Sequence, residues 1–243
     1  VPEPELVLCS AHLLVPRLAQ ASLPAALASR PILASELHLI TGGTGGLGLL
    51  TGRWLAQGGA GQVVLASRGA TLAHGVTREW EQLWAGCAQV LVERCDAAES
   101  KHVVRLAAFA QDVLSVTGVW HAAGLLADGV LPNQSARTLA RVYAPKAHGA
   151  WDLHAAGSTR TTDAVALFSS IAALLGGAGQ GNYAAANACL DAHATSRRTH
   201  GVAAASDLLA ARPQILMCPF FARLANNDLH QPQTAHAVNC VAT

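Results

Sequence analysis

The chain has 243 residues, 51% of them apolar and 13% charged, with a formal net charge of +1. That length allows one α/β domain with additions, and so apolar a composition suits a sheet buried on both faces. A charge so near zero removes the electrostatic case for nucleic acid or an anionic membrane as a partner.

Six scattered cysteines, with no CxxC pair and no signal peptide, read as reduced thiols of an intracellular, cytoplasmic protein. Eleven histidines without a ligand-spaced pair predict no metal site. Residues 1–35 carry Pro2, Pro4, Pro16, Pro24 and Pro31, which break any long element. Residues 6–9 and 13–15 have the pattern of short strands but no expected partner within the stretch. Segment 1–35 therefore reads as a linker with the remnant of an upstream unit.

From Leu37 the pattern becomes regular. LHLIT is a strand, TGGTGGLG a glycine-rich turn, and LLTGRWLAQGG a helix ended by Gly58 and Gly59. QVVLASRG is a second strand, VTREWEQLWAGC a helix, AQVLVERCD a third strand and AESKHVVRLAAFAQDV a helix. GVWHAAG is a fourth strand with its turn, and residues 135–156 are helical in pieces, with Pro145 opening a second helix. AVALFSS is a fifth strand, GGAGQG a loop, NYAAANACLDAHATSRR a helix, and GVAAAS begins a sixth strand. The run between Asp163 and Asp191 holds no charge, yet its glycines, Gln180 and Asn182 interrupt any membrane-spanning helix. Strands alternating with helices at this spacing predict a doubly wound parallel sheet of Rossmann type over residues 36–206.

Ligands in such sheets lie beyond the carboxyl ends of the strands. Residues 41–48 (Thr41, Gly42, Thr44, Gly45, Gly46, Leu47 and Gly48 among them) follow a strand and open a helix, the context of a dinucleotide site. Gly42 and Gly46 are expected to allow tight backbone geometry and Gly48 close packing, with the helix end facing a pyrophosphate. The second strand ends in Ser67 and Arg68 where an acidic residue would hold the ribose of NAD; a guanidinium beside a hydroxyl suits a 2′-phosphate, hence NADPH. The alternative is a solvated arginine. Asp96 either accepts from the adenine amino group or caps the next helix. Ala122, Ala123 and Gly124, after the fourth strand, complete the expected groove.

Ser170, at the end of the fifth strand, and Tyr183 and Asn187, on one face of the next helix, can converge with Lys146. A phenol is a poor acid near neutral pH without a cation nearby. With Lys146 beside it, Tyr183 can protonate a carbonyl oxygen that Ser170 holds while a nicotinamide delivers hydride. Each residue also has a plain reading as cap, packing or solvated face.

The segments TGGTGGLG, ASRG, RCDAAE, HAAG, PKAHGAWDLH, FSSIAALLGGAGQGNYAAANACLD and the early LLVPRLA together resemble the ketoreductase domain of a modular type I polyketide synthase, within the short-chain dehydrogenase/reductase superfamily. Fatty-acid synthase ketoreductases of animal type are close relatives. Asn187 stands where most of the superfamily has its lysine, and Lys146 comes earlier, the habit of the synthase ketoreductases. The resemblance implies NADPH-dependent reduction of a β-ketoacyl thioester held by phosphopantetheine on an acyl carrier protein, with other synthase domains as partners. In that family one facial class carries Leu-Asp-Asp after the fourth strand and the other a tryptophan eight residues before the tyrosine. Leu126-Ala127-Asp128 and Leu175 at these places favour a D-configured hydroxyl. The match ends after Ser206: residues 207–243 carry no tryptophan–glycine turn and no lid, and have no assignment. The expectation is a chain that binds NADPH and turns over poorly alone, the rival being a non-catalytic scaffold.

Overall fold

A computed structural model describes residues 7–9, 12–14, 21–22, 32–113, 116–157, 162, 164–201, 204–209 and 236–237. The chain divides into two compact units, Arg30–Ala211 and the combination of Val1–Ser29 with Arg212–Thr243.

In the smaller unit, β1 (Val7–Cys9) pairs antiparallel with β2 (His12–Leu14), and β3 (Ala21–Ser22) with the last strand, β10 (His236–Ala237). The expectation that the first two strands lack a partner is corrected. Two intervening residues are the spacing of a tight hairpin, so the strands serve each other. Most of the tail, and with it the expected missing lid, lies outside the described residues.

The larger unit is a six-stranded parallel sheet in the order β6-β5-β4-β7-β8-β9. Its strands are β4 (Leu37–Thr41), β5 (Gln62–Ser67), β6 (Gln89–Arg94), β7 (Val116–His121), β8 (Ala164–Ser170) and β9 (Ala205–Leu209). All five residues of β4 are buried, because helices cover both faces and neither side of the pleat meets water. Leu37, Leu39, Val64, Val119, Val165 and Leu167 fill one core layer with Val103, Leu106 and Leu190 from the helices. The strand order reverses between β4 and β7, and the crevice beyond their carboxyl ends is where such sheets take ligands.

The helices are α1 (Gly46–Gln57), α2 (Thr77–Trp84), α3 (Ser100–Val113), α4 (Ala136–Tyr143), α5 (Gly149–Ala155), α6 (Ala172–Leu175) and α7 (Gly181–Thr199). α1 ends as expected, with Gly59 at φ +105° and the Gly58 N–H bonded to the Trp54 carbonyl. α4 opens with a capping box in which Ser135 Oγ accepts from the Thr138 N–H and Thr138 Oγ1 accepts from the Ser135 N–H.

Two expectations are revised and one short helix is added. Pro145 does not open a new helix: residues 144–148 form a π-helical turn joining α4 to α5 without a break. Widening the turn absorbs the missing N–H and the ring that would break an α-helical ladder. α6 falls between the expected strand and the expected loop, on residues given no element, and four residues are too few to show a helical period. β9 begins at Ala205 and runs three residues past Ser206, with Leu209 opposite Ser170, so the sheet extends beyond the expected limit of 206. An edge strand is held by its backbone to one neighbour, and a polar Ser206-Asp207 pair does not end it.

No helix among the described residues is long and apolar enough to cross a membrane.

Candidate active site

The glycine-rich turn divides its labour differently from the expected pattern. Gly42 takes φ +67°, and a Cβ there would lie 2.6 Å from the Ala122 carbonyl oxygen. Gly43, which the sequence reading passed over, would press a Cβ to 2.7 Å from Leu65 Cα. Gly48 lets α1 lie on the turn, since its Cβ would come within 2.4 Å of the Gly42 carbonyl oxygen. Gly46 is a correction: it lies in the helix at ordinary φ, and a Cβ there would meet no protein atom within 4 Å. The protein's own packing does not require glycine at that position.

The N-terminus of α1 has no side-chain cap at Gly45 and no acidic residue in its first turn. Its first N–H groups and the positive end of its dipole are thus left for an anion. Beside it opens a cleft of about 740 Å³ lined by Gly42, Thr44, Gly45, Ser67, Arg68, Asp96, Ala122, Ala123 and Gly124. Thr44 Oγ1 donates to Ser67 Oγ at 2.8 Å, and the exposed Arg68 stands at the rim. Asp96 also lines the cleft, and its Oδ1 accepts from the Ala98 N–H at 3.0 Å. That bond shapes the turn before α3, which begins at Ser100, so the helix-cap reading of Asp96 is set aside.

Thr41 departs from expectation: it is buried, with Oγ1 2.7 Å from His121 Nδ1, so its side chain faces the sheet and not the cleft. Leu47 lines the neighbouring cavity instead. Arg137 and Arg141 of α4 line the cleft and were missed. Their spacing of four on one helix was the available signal.

The second cavity, about 520 Å³, is lined by Lys146, Ser170, Tyr183, Leu47, Leu126 and Gln180, and shares Ala122, Gly124 and Leu125 with the first. Lys146 rides on the π turn, is buried, and donates from Nζ to the Phe168 carbonyl at 2.8 Å. Its Nζ is 5.4 Å from the Tyr183 ring centroid. Burial pushes the ammonium down to about 8, against the opposing pull of the Asp191 charge. Gly124 makes room for the lysine, because a Cβ there would sit 3.0 Å from Lys146 Cε. Ser170 Oγ accepts from the Ala172 N–H at 3.2 Å, at the start of α6.

Asn187 is buried, and its Nδ2 donates to the Tyr183 carbonyl at 2.7 Å, while its Oδ1 has no hydrogen-bond partner among the described residues. Ser169 Oγ donates to the Asn187 carbonyl at 3.3 Å. Asn182, another residue missed, donates from Nδ2 to the Ala127 carbonyl and accepts from the Tyr183 N–H. It thereby ties the loop after β7 to the first turn of α7. A bare helix end, an unfilled glycine and a cleft running to a Lys-Ser-Tyr cluster fit a nicotinamide dinucleotide.

The KR domain family model matches residues 37–210. Among characterised proteins, the chain is 42% identical to polyketide synthase GfsA of Streptomyces halstedii over 206 residues, which cover 84% of the chain and 3% of that protein. It is 45% identical over 169 residues to a phthioceranic/hydroxyphthioceranic acid synthase of Mycobacterium tuberculosis, covering 69% of the chain and 8% of that protein. The chain thus spans a small fraction of these relatives. Among solved structures, an A1-type ketoreductase superposes with a TM-score of 0.78 at 29% identity, covering 97% of the chain and 54% of that structure. The first ketoreductase of the tylosin synthase gives 0.72 at 33% identity, covering 92% and 48%. The chain belongs to the ketoreductase domain family of modular polyketide synthases, nicotinamide-dependent oxidoreductases of the short-chain dehydrogenase/reductase fold.

Proposed function

We propose that the chain reduces a β-ketoacyl thioester, presented by an acyl carrier protein, to the β-hydroxyacyl thioester with NADPH as reductant. The observation that carries this reading is the convergence of Lys146, Ser170 and Tyr183 on one cavity that shares walls with the dinucleotide cleft. When bound, the dihydronicotinamide supplies a hydride to the substrate's carbonyl carbon. Ser170 Oγ donates a hydrogen bond to the carbonyl oxygen and fixes its position. Tyr183 Oη gives that oxygen a proton as negative charge builds on it. The Lys146 ammonium, mostly charged at pH 7, stabilises the phenolate that remains. Asn187, bonded to the Tyr183 carbonyl, holds the tyrosine's turn of α7 in place. Arg68 and Ser67 receive the 2′-phosphate, and the Gly45–Gly46 end of α1 the diphosphate. Phosphopantetheine is the tether that carries a thioester into such a cavity, and the remaining synthase domains supply the carrier.

The test follows NADPH consumption by the full chain with a simple β-keto thioester or with trans-1-decalone. Substrate-dependent oxidation is expected, collapsing in Tyr183→Phe while NADPH binding survives. Turnover in that variant within a few-fold of the parent shows that another group protonates the carbonyl.

A further inference from the structure

His121 ends β7 and is fully buried, in none of the roles given above. Its Nε2 lies 2.9 Å from the Lys146 carbonyl oxygen and its Nδ1 2.7 Å from Thr41 Oγ1. A carbonyl oxygen can only accept, so the ring proton is on Nε2; Nδ1 is then an acceptor, and the Thr41 hydroxyl donates to it. Burial favours this neutral form, pushing the imidazole down to about 4. The ring's place is built: a Cβ at Gly149, which opens α5, would lie 3.2 Å from His121 Cε1 and 2.7 Å from the Ala97 carbonyl oxygen. A line of bonds therefore crosses the carboxyl edge of three adjacent strands, from Thr41 on β4 through His121 on β7 to the Lys146 carbonyl, and from Lys146 Nζ to Phe168 on β8.

We propose that His121 is a positioning residue, pinning the π turn to the sheet at the depth that brings the Lys146 ammonium to Tyr183; this rests on the roles given to those two residues above. A π turn has a wider, less regular ladder than an α-helix and needs an outside anchor to hold one geometry. The same imidazole ties the lysine's turn to Thr41, the residue before the glycine-rich turn, so the dinucleotide cleft and the reactive cavity share one support. The charged and titratable groups around the lysine are Tyr183 and Asp191 from α7 and His121 from β7, with His193 of α7 acting on His121.

The experiment exploits composition: the chain has two lysines, Lys101 and Lys146, and Lys101 is exposed. Carbon NMR of the full chain with isotope-enriched lysine reports both amines separately, without any turnover. In the parent the Lys146 signal is expected to titrate near 8. In His121→Phe, which keeps a ring but no donor or acceptor, the turn loosens, water reaches the amine and its titration moves up toward the ordinary lysine value of 10.5. Turnover of the thioester falls by about tenfold or more while NADPH affinity stays within about threefold. His121→Gln, which again offers a donor and an acceptor, returns both readouts toward the parent. An unshifted Lys146 signal with parental turnover in a folded His121→Phe overturns the proposal. Should that variant fail to fold, Thr41→Val removes the hydroxyl at the other end of the line, and an unshifted Lys146 signal there overturns it equally. A parent chain with no reductase activity refutes the proposed function, while a Lys146 signal that moves in His121→Phe still supports the clamp.

Discussion

Lys146 Nζ stands 5.4 Å from the centre of the Tyr183 ring, held there by a 2.8 Å bond to the Phe168 carbonyl. Burying an ammonium on a neutral acceptor costs stability. Its folded value of about 8 lies below the ordinary 10.5, so between these pH values the unfolded chain binds more protons than the folded one. Stability from this group therefore rises as pH climbs through that window, and the cost is fully present below it. Lys146→Met should raise unfolding free energy at pH 7 by about 1–3 kcal/mol, after the lost hydrogen bond is set against the relieved desolvation, and should abolish turnover. Denaturant melts at several pH values check it: the variant's advantage should shrink between pH 8 and 10.5. A variant less stable than the parent at pH 7 would show that the amine is better solvated than its burial implies.

Arg68 stands at the cleft rim beside Ser67, whose hydroxyl is fixed by Thr44. A guanidinium there gains a charge-assisted bond from a 2′-phosphate and little from a bare ribose. Arg68→Ala should weaken NADPH by about tenfold to a hundredfold, each tenfold being about 1.4 kcal/mol, and leave NADH nearly unchanged. Titration of both cofactors decides, and equal losses count against the 2′-phosphate role.

Gly46 and Gly48 separate ligand from fold within three residues. A Cβ at Gly48 would strike the Gly42 carbonyl oxygen at 2.4 Å, backbone that cannot swing away, so Gly48→Ala should cost about 2 kcal/mol or more of stability. A Cβ at Gly46 meets open space, so Gly46→Ala should leave stability unchanged or raise it by up to about 1 kcal/mol. It should nevertheless weaken NADPH by about tenfold, because the methyl group occupies the approach to the helix end. Thermal melts with and without NADPH read both effects; parental affinity in Gly46→Ala would place the diphosphate elsewhere.

The strands and the glycine-rich turn were legible because their signals are local. LHLIT, QVVLAS and AVALFSS are apolar runs of strand length, and TGGTGGLG sits between a strand and a helix. Of the four residues singled out together from the sequence, Lys146, Ser170 and Tyr183 line one cavity, and Asn187 does not. What escaped depends on partners far along the chain. Thr41 meets His121 across 80 residues, and no window around either reveals it. The π turn escaped because Pro145 carries a strong local signal for a helix start, whereas residues 144–148 carry α4 on into α5. Gly46 was misread for a related reason: a motif marks where glycines fall, not whether protein or ligand excludes the side chain.

The last prediction concerns the product's configuration. The loop after β7 is fastened to the start of α7 by several bonds. Gln180 Nε2 donates to Asp128 Oδ2 at 3.0 Å, Asn182 Nδ2 to the Ala127 carbonyl at 2.8 Å, and the Gly129 N–H to the Gly179 carbonyl at 2.8 Å. Gln134 supports the same loop from below, donating to the Gly129 carbonyl at 2.9 Å. Leu126 and Gln180 both line the reactive cavity, so the fastened loop fixes part of its wall. Leu175, where the opposite facial class has tryptophan, is exposed. With Asp128 retained and that tryptophan absent, the carbonyl should be presented for a D-configured hydroxyl product. Gln180→Leu releases Asp128 while leaving Lys146, Ser170 and Tyr183 untouched. It should therefore lower the excess of one isomer more than the rate; a discrimination of about tenfold corresponds to about 1.4 kcal/mol between the two approaches. Chiral analysis of the product from parent and variant is the check. The L-hydroxy isomer from the parent overturns the assignment, and an undiminished excess in Gln180→Leu removes the loop as its cause.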